Sequence, residues 1–142
     1  MHEWALAEAV IQTALDVASR EGFRAITRIE ISLGELQNIE QEIFRFALSE
    51  IIKMYPERFK DTKIDLIIEK TLFRCRACGN EWNLKEIKGD WNEDVAEAIH
   101  FIPELSHSFI RCPRCNSPDF EVLKGRGVSI TSLVGEKDGD RS

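Results

Sequence analysis

Two stretches, "CRACGNEW" (residues 75–82) and "CPRCNSPDF" (residues 112–120), contain all four cysteines of the chain. Each is a Cys-x-x-Cys pair, and the two-residue spacer allows one tight turn to point both sulfurs at a single ion. Two such turns complete the tetrahedral four-sulfur shell that suits Zn²⁺. The sequence therefore predicts a structural zinc site formed by Cys75, Cys78, Cys112 and Cys115.

The link between the pairs, residues 79–111, is longer than the roughly 15 to 20 residues usual between such pairs, which indicates an insertion. A redox dithiol or an iron site are the alternatives for the cysteines. A closed four-thiolate shell has no open position for catalysis, which favours a structural role. Gly79 suits the close turn after the first pair, and Trp82 and Trp91 are expected to shield the cluster from water.

Composition restricts the class of protein. The chain has 142 residues, 43% of them hydrophobic, and a net charge of −6, which predicts a compact domain and disfavours a nucleic-acid backbone as the main ligand. No stretch approaches the roughly 18 apolar residues of a membrane span, and the start does not resemble a secretory signal. We therefore expect a cytoplasmic protein with no membrane partner.

The periodicity of apolar residues predicts helices and strands in alternation. Residues 4–20 have one apolar face and are predicted to form a helix that ends at Gly22. Residues 27–34 and 62–70 alternate in the manner of strands. A second helix is predicted between them, with Asn38 as its N-cap, Gln41 completing a capping box, and Pro56 beyond its end. Residues 120–123 and 128–134 are predicted strands, joined by a turn at "KGRG".

These elements predict an α+β fold in which two helices pack on one face of a three-stranded mixed sheet. A small Cys₄ zinc-ribbon-like module is inserted before the last strand. We assign residues 1–72 and 120–135 to the α+β domain, residues 73–119 to the zinc-binding domain with its long insertion, and residues 136–142 to a flexible tail. Within the insertion, residues 92–102 are predicted to form a short helix, with Val95, Ile99 and Ile102 on one side.

The opening stretch, "MHEWALAEAV" (residues 1–10), places a histidine next to the terminal amine. The amine of Met1, the backbone amide of His2 and the His2 imidazole can close fused chelate rings around Ni²⁺, which accepts square-planar nitrogen donors. The Glu3 amide or a second imidazole could supply a fourth donor. The alternatives are a frayed terminus, and a Glu3 carboxylate that only complements the helix dipole. The other histidines are His100 and His107, of which His107 is the weaker candidate ligand.

Several motifs together resemble one family. "MHEWALA" at the start, "ISLGELQNI" after the first predicted strand, the two Cys-x-x-Cys pairs and the "GRGVSI" strand are similar to the HypA/HybF family of nickel metallochaperones for [NiFe]-hydrogenase maturation. The resemblance covers nearly the whole chain. The insertion that carries "IHFIPE" resembles the archaeal branch of the family.

The resemblance implies two metals and two protein partners. Met1, His2 and Glu3 match the N-terminal nickel motif, and the four cysteines match the structural zinc ligands. His100 matches a histidine that is implicated in completing the nickel shell. A HypB-type nucleotide-hydrolysing nickel-insertion protein and the hydrogenase large subunit are the implied partners. Asn116 stands where glycine is common after such a cysteine pair, and because Asn tolerates positive φ we expect the turn to form.

Two other classes of protein compete with this interpretation. A zinc-ribbon module that binds nucleic acid, or a transcription or translation partner, would also carry Cys-x-x-Cys pairs, but it should show a basic stripe and an aromatic platform, which we do not find around these cysteines. An enzyme is disfavoured because no cysteine is spare as a nucleophile. No Ser/His/Asp set or phosphate-binding loop is legible either.

Overall fold

The computed structural model describes residues 3–87, 93–101 and 110–137. Met1, His2, Trp91 and His107, as well as residues 138–142 of the predicted tail, lie outside this part of the chain, as do the side chains of residues 93, 100 and 101. The elements are α1 (Glu3–Glu21), β1 (Phe23–Gly34), a 3₁₀ turn (Glu35–Gln37), α2 (Gln41–Ile52), β2 (Phe59–Glu69), β3 (Leu72–Cys75), β4 (Glu81–Asn83), a second 3₁₀ turn (Leu84–Glu86), α3 (Glu93–Phe101), β5 (Phe120–Lys124) and β6 (Val128–Lys137). Among the described residues, no helix combines the length and the apolar composition that crossing a membrane requires.

The strands form two sheets of three. The first sheet has the order β2-β1-β6, and the second has the order β4-β3-β5. The order of side-chain hydrogen bonds along the strands indicates that β1 and β2 are parallel and that β1 and β6 are antiparallel, so the first sheet is mixed. In the second sheet, β3 pairs antiparallel with both neighbours. The predicted α+β class is confirmed.

Helix α1 follows the apolar stripe of its sequence. Its buried residues recur at helical spacing, with Ala7, Ile11, Ala14 and Ala18 fully buried. The helix ends before Gly22, whose φ of 77° lies in the left-handed region that favours glycine. The predicted end of the first helix is therefore confirmed.

The predicted cap of the second helix is wrong. Asn38 has φ 53° and ψ 47°, and its N–H closes the first 3₁₀ turn by donating to Glu35 O. Helix α2 begins at Gln41 with Glu40 as its N-cap, and the Glu40 side chain makes no capping hydrogen bond. The sequence pattern misplaced the start because the short 3₁₀ turn, which has little periodicity of its own, occupies the residues before the helix.

The chain divides into two compact units. The helical unit comprises Met1–Ser32, Ile39–Ile67 and Ser129–Ser142, and the cysteine unit comprises Leu33–Asn38 and Ile68–Val128. Strand β5 pairs with β3 in the cysteine unit, whereas we expected residues 120–135 to lie together in the α+β domain. The glycines of "KGRG", Gly125 and Gly127, adopt positive φ between β5 and β6, so the turn allows the chain to change sheets.

Three chain segments of the cysteine unit meet at Gly125. Its carbonyl oxygen accepts hydrogen bonds from the Leu36 N–H at 3.0 Å and from Thr71 Oγ1 at 3.1 Å. Its own N–H donates to Glu69 Oε1 at 2.7 Å. A Cβ placed on Gly125, whose φ is +85°, would lie 2.3 Å from the Thr71 Cα atom. We call this contact the glycine junction, and only a residue without a side chain fits it.

Candidate metal centre

The first cysteine pair lies on a tight turn that follows β3. The Gly79 N–H donates to Cys75 O at 3.0 Å, and the Cys75 N–H donates to Asn80 O at 2.8 Å. Gly79 has φ +78°, which lets the backbone turn back under the sulfurs. The Cys78 N–H points at Cys75 Sγ, 3.5 Å away. The turn thus places both sulfurs of the pair on the same side of the backbone.

The second cysteine pair repeats this arrangement. The Asn116 N–H donates to Cys112 O at 2.8 Å, and the Cys112 N–H donates to Ser117 O at 2.9 Å. The Arg114 N–H lies 3.4 Å from Cys112 Sγ. Asn116 has φ 64°, so the prediction that asparagine would support this turn in place of glycine is confirmed.

The two turns bring the four sulfurs together. The Sγ atoms of Cys75, Cys78, Cys112 and Cys115 all lie within 4.8 Å of one another. Cys75 Sγ is 3.5 Å from Cys115 Sγ, and Cys78 Sγ is 3.7 Å from Cys112 Sγ. A tetrahedral ion with metal–sulfur bonds of about 2.3 Å requires sulfur–sulfur distances of about 3.8 Å. The cluster therefore has the dimensions and the donor set of a four-thiolate zinc site.

Two thiols of this cluster, Cys112 and Cys115, have pKa values shifted in opposite directions. Burial acts to raise the pKa of Cys112, but hydrogen bonds from the backbone N–H groups of Cys115 and Arg114 outweigh it and hold the pKa at about 6. The Ser117 N–H acts to lower the pKa of Cys115, but the adjacent sulfurs, first that of Cys75, raise it to about 12. Four sulfurs this close cannot all ionise without a positive charge between them, which a divalent cation supplies.

A cluster of buried aromatic side chains, the aromatic core of the cysteine unit, packs with the cysteines. Trp82 is fully buried, with its ring centroid 5.4 Å from that of Phe73 and 5.6 Å from that of Phe120. These rings belong to one cluster of buried side chains with Cys75 and Cys112. The prediction that Trp82 covers the cysteines agrees with this packing. Periodicity did not identify Phe73 and Phe120 as its partners, because β3 and β5 are too short to show a clear alternation.

Four arginines flank the cysteine turns, a feature that the sequence reasoning passed over. Arg74 forms an ion pair with Glu121, and Arg76 pairs with Asp119 at 3.0 Å. Arg111 and Arg114 are exposed as well. Phe73, Trp82 and Phe120, which flank the cysteines in sequence, are all buried, so these three rings are not available as a stacking platform for bases.

The residues proposed for nickel are only partly described. Met1 and His2 lie outside the described residues, and Glu3 is the first residue of α1. His100 belongs to α3, where Val95 and Ile99 pack into the aromatic core of the cysteine unit. This part of the predicted short helix, residues 92–102, is therefore confirmed. The His100 side chain itself is outside the described part of the chain.

The Glu3 side chain is buried in the helical unit, with 3% of its surface exposed. Its Oε2 atom accepts a hydrogen bond from the Glu40 N–H at 2.9 Å. Burial acts to raise the pKa of this carboxyl group, but hydrogen bonds, first one with the terminal amine and then the one from the Glu40 N–H, leave the pKa below its ordinary value. The carboxylate is thus held in its charged form as part of the fold.

The chain is similar along its length to proteins of one family. The family model described as "Hydrogenase/urease nickel incorporation, metallochaperone, hypA" matches residues 1–135. The hydrogenase maturation factor HypA of Thermococcus onnurineus is 49% identical over 140 residues, covering 99% of each chain. HypA of Pyrococcus furiosus is 44% identical over 140 residues with the same coverage.

A solved structure has the same fold. The solution structure of the Ni metallochaperone HypA from Helicobacter pylori superposes with a TM-score of 0.62 at 19% identity, covering 96% of this chain and 99% of that one. The order of helices, strands and cysteine turns described above, together with the family match over residues 1–135, leads to one conclusion: this chain belongs to the HypA family.

Proposed function

We propose that this protein is a nickel metallochaperone that binds Ni²⁺ through its N-terminus and delivers it for the maturation of [NiFe]-hydrogenase. The observation that carries this proposal is the family match, which begins at residue 1 and therefore includes the Met1, His2 and Glu3 motif. The amine of Met1, the amide and imidazole of His2 and the Glu3 amide are the proposed donors, with His100 as a further ligand. Such nitrogen donors suit the square-planar preference of Ni²⁺.

The four cysteines are proposed to hold a structural Zn²⁺ and not the nickel that is delivered. Their sulfurs all lie within 4.8 Å of one another, and a shell closed by four thiolates has no open position through which a cargo ion could be exchanged. The ion would supply the positive charge that lets all four thiolates ionise, and the aromatic core beside them would stabilise the bound state. Four reduced thiols also suit the cytoplasm, where we propose that the protein acts.

The nickel site has to release its ion as well as bind it. The proposed ligands are an amine with an ordinary pKa of about 7.7 to 8 and an imidazole with one of about 6.5. Protons therefore compete with nickel near neutral pH, and nickel affinity is expected to fall as pH falls. No step of this proposal requires catalysis by the chain, so we regard it as a carrier and not an enzyme.

Two protein partners are proposed: a HypB-type nucleotide-hydrolysing nickel-insertion protein, and the hydrogenase large subunit that receives the ion. Apolar surface on the helical unit supports a protein contact near the nickel motif. Trp4, Ile43 and Phe46 on α1 and α2 have 48%, 45% and 59% of their surface exposed, and exposed apolar groups of this size are typical of interaction sites.

The test is a calorimetric titration with Ni²⁺ of the native protein, a protein with two residues added ahead of Met1, and His2→Ala. The extension converts the Met1 amine into an amide and moves His2 away from the second position. We expect stoichiometric binding by the native protein only, with zinc content and helical circular dichroism unchanged in all three. Equal nickel binding by the native and extended proteins would contradict the N-terminal site.

The competing hypothesis, a zinc-ribbon module that binds nucleic acid, can be tested in the same preparation. A gel shift with single- and double-stranded nucleic acid at about 0.15 M salt should show no complex if the carrier proposal is right, because specific binding persists at that salt concentration. A complex that is lost in a double Arg111→Ala, Arg114→Ala variant would instead favour nucleic acid as the ligand of the cysteine unit.

A further inference from the structure

Glu3 is an acidic residue in an unusual place. Among the described residues, only Glu3 and Thr71 are buried and polar. Burial of a carboxylate is costly unless hydrogen bonds compensate for the lost water. The buried carboxylate of Glu3, at the first position of α1, must therefore accept hydrogen bonds that replace those with water.

Besides the terminal amine, the Glu3 carboxylate has a partner at the beginning of the other helix in the same unit. Glu3 Oε2 accepts the Glu40 N–H at 2.9 Å. Glu40 is the N-cap of α2, and its own side chain makes no capping hydrogen bond. The Glu3 carboxylate thus occupies the position where a negative charge is favoured by the dipole of α2, although it belongs to a different helix. Glu3 ties the start of α1 to the start of α2.

This tie fixes the backbone directly next to the proposed nickel donors. The side chain of Glu3 is held at the α2 start, while its backbone is part of α1. His2 is the residue that directly precedes Glu3, so the proposed donors are covalently adjacent to this contact. The Glu3 residue is therefore restrained by a contact to the Glu40 backbone, in addition to its place in α1.

Resting on the proposed function, we propose that the Glu3 carboxylate is a positioning group for nickel: its hydrogen bond to the Glu40 N–H orients the adjacent N-terminal donors, and the carboxylate itself does not coordinate the ion. Four nitrogen donors in one plane require the peptide planes on either side of His2 to be aligned. A backbone already held at Glu3 loses less conformational freedom when the ion binds. Loss of a residue that orients metal ligands typically lowers metal affinity by about 10- to 100-fold.

Four substitutions separate the hydrogen bond from the charges of the two residues. Glu3→Gln keeps an acceptor oxygen, whereas Glu3→Ala removes it. Glu40→Ala keeps the backbone N–H, whereas Glu40→Pro removes the donor at a position whose φ of −74° suits proline. Each protein is titrated with Ni²⁺ by calorimetry, and the visible absorption spectrum of the bound ion is recorded. Zinc content and circular dichroism establish that the fold is retained.

We expect Glu3→Ala and Glu40→Pro each to weaken nickel binding by about 10- to 100-fold and to alter the spectrum, while Glu3→Gln and Glu40→Ala stay within about threefold of wild type. Because Glu40→Pro removes only a contact that Glu3→Ala has already removed, the Glu3→Ala, Glu40→Pro double variant should bind about as weakly as Glu3→Ala alone. If Glu3→Ala does not fold, the comparison of Glu40→Pro with Glu40→Ala decides the question by itself.

Two results would overturn the inference while leaving the proposed function intact. Unchanged affinity and spectrum in Glu40→Pro would show that the contact does not position the donors. Equal loss in Glu3→Gln and Glu3→Ala, with Glu40→Pro unaffected, would mean that the carboxylate coordinates nickel directly. Failure of the proposed function itself has a different signature: wild-type protein and its N-terminally extended form would bind nickel alike.

Discussion

Replacement of Trp82 by alanine should weaken zinc binding by destabilising the cysteine unit. Trp82 is fully buried between Phe73 and Phe120, in the same cluster as two of the cysteines. Truncation of a buried tryptophan to alanine costs about 3–5 kcal/mol. The cysteine unit is smaller than about 70–80 residues, a size at which one hydrophobic core rarely supplies more than about 3–5 kcal/mol. The variant unit should therefore be unfolded without metal.

Zinc binding must then supply the free energy of folding, so the apparent zinc affinity falls. If half of the lost stability appears in the binding equilibrium, about 2 kcal/mol, the affinity drops by more than tenfold, since each 1.4 kcal/mol is a factor of ten. Competition with a chromophoric chelator measures this directly. Trp4→Ala is the matched control, because Trp4 is 48% exposed on α1 in the other unit and its removal should leave zinc affinity unchanged. Wild-type zinc affinity in Trp82→Ala would refute the reasoning.

Three further predictions concern the backbone and the buried acid. Gly125→Ala should lower the free energy of unfolding by about 1–2 kcal/mol because its backbone is left-handed, and by about 1–3 kcal/mol more because the added Cβ overlaps Thr71. Gly127→Ala should lose only the first of these contributions, since no atom lies within 4 Å of its added Cβ. Equal losses of stability in chemical denaturation would count against the glycine junction. Asn116→Gly should hold zinc as the wild type does, while Asn116→Val should release it faster to a chelator, because β-branched residues disfavour the φ of 64°; equal release rates would contradict this. The pKa of Glu3 is lowered in the fold, so the carboxylate stabilises the protein fully above the unfolded pKa of about 4.5, and this stabilisation is lost as pH falls through the lower folded pKa. The difference in unfolding free energy between wild type and Glu3→Gln, measured in urea, should therefore shrink as pH falls below about 4.5. A difference that does not depend on pH would be inconsistent with the lowered pKa.

Much of the fold follows from local pattern. The long elements α1, β1 and β2 have apolar periodicity over many residues, and Gly22 and the "KGRG" glycines adopt the positive φ that their positions suggested. The cysteine turns were predictable because a Cys-x-x-Cys pair restricts the backbone to few conformations that aim both sulfurs at one point. Even the substitution of Asn116 for glycine could be judged from its tolerance of positive φ.

The remaining features depend on contacts between distant segments. The start of α2 could not be placed from sequence, because the group that binds the Glu40 N–H comes from Glu3, at the other end of a helix and a strand. Likewise, the membership of β5 in the cysteine sheet depends on its pairing with β3 across the whole insertion. Local propensity contains no information on which distant strand completes a sheet.

The glycine junction closes the base of a long excursion of the chain. The segment that leaves at Glu69 and Thr71 returns at Gly125, and the two ends are joined by direct hydrogen bonds. When the ends of a loop are held together, added residues raise the entropic cost of closing the loop only slightly, because this cost grows with the logarithm of the number of residues. A change in the number of residues between the cysteine pairs should therefore have little entropic consequence for the helical unit.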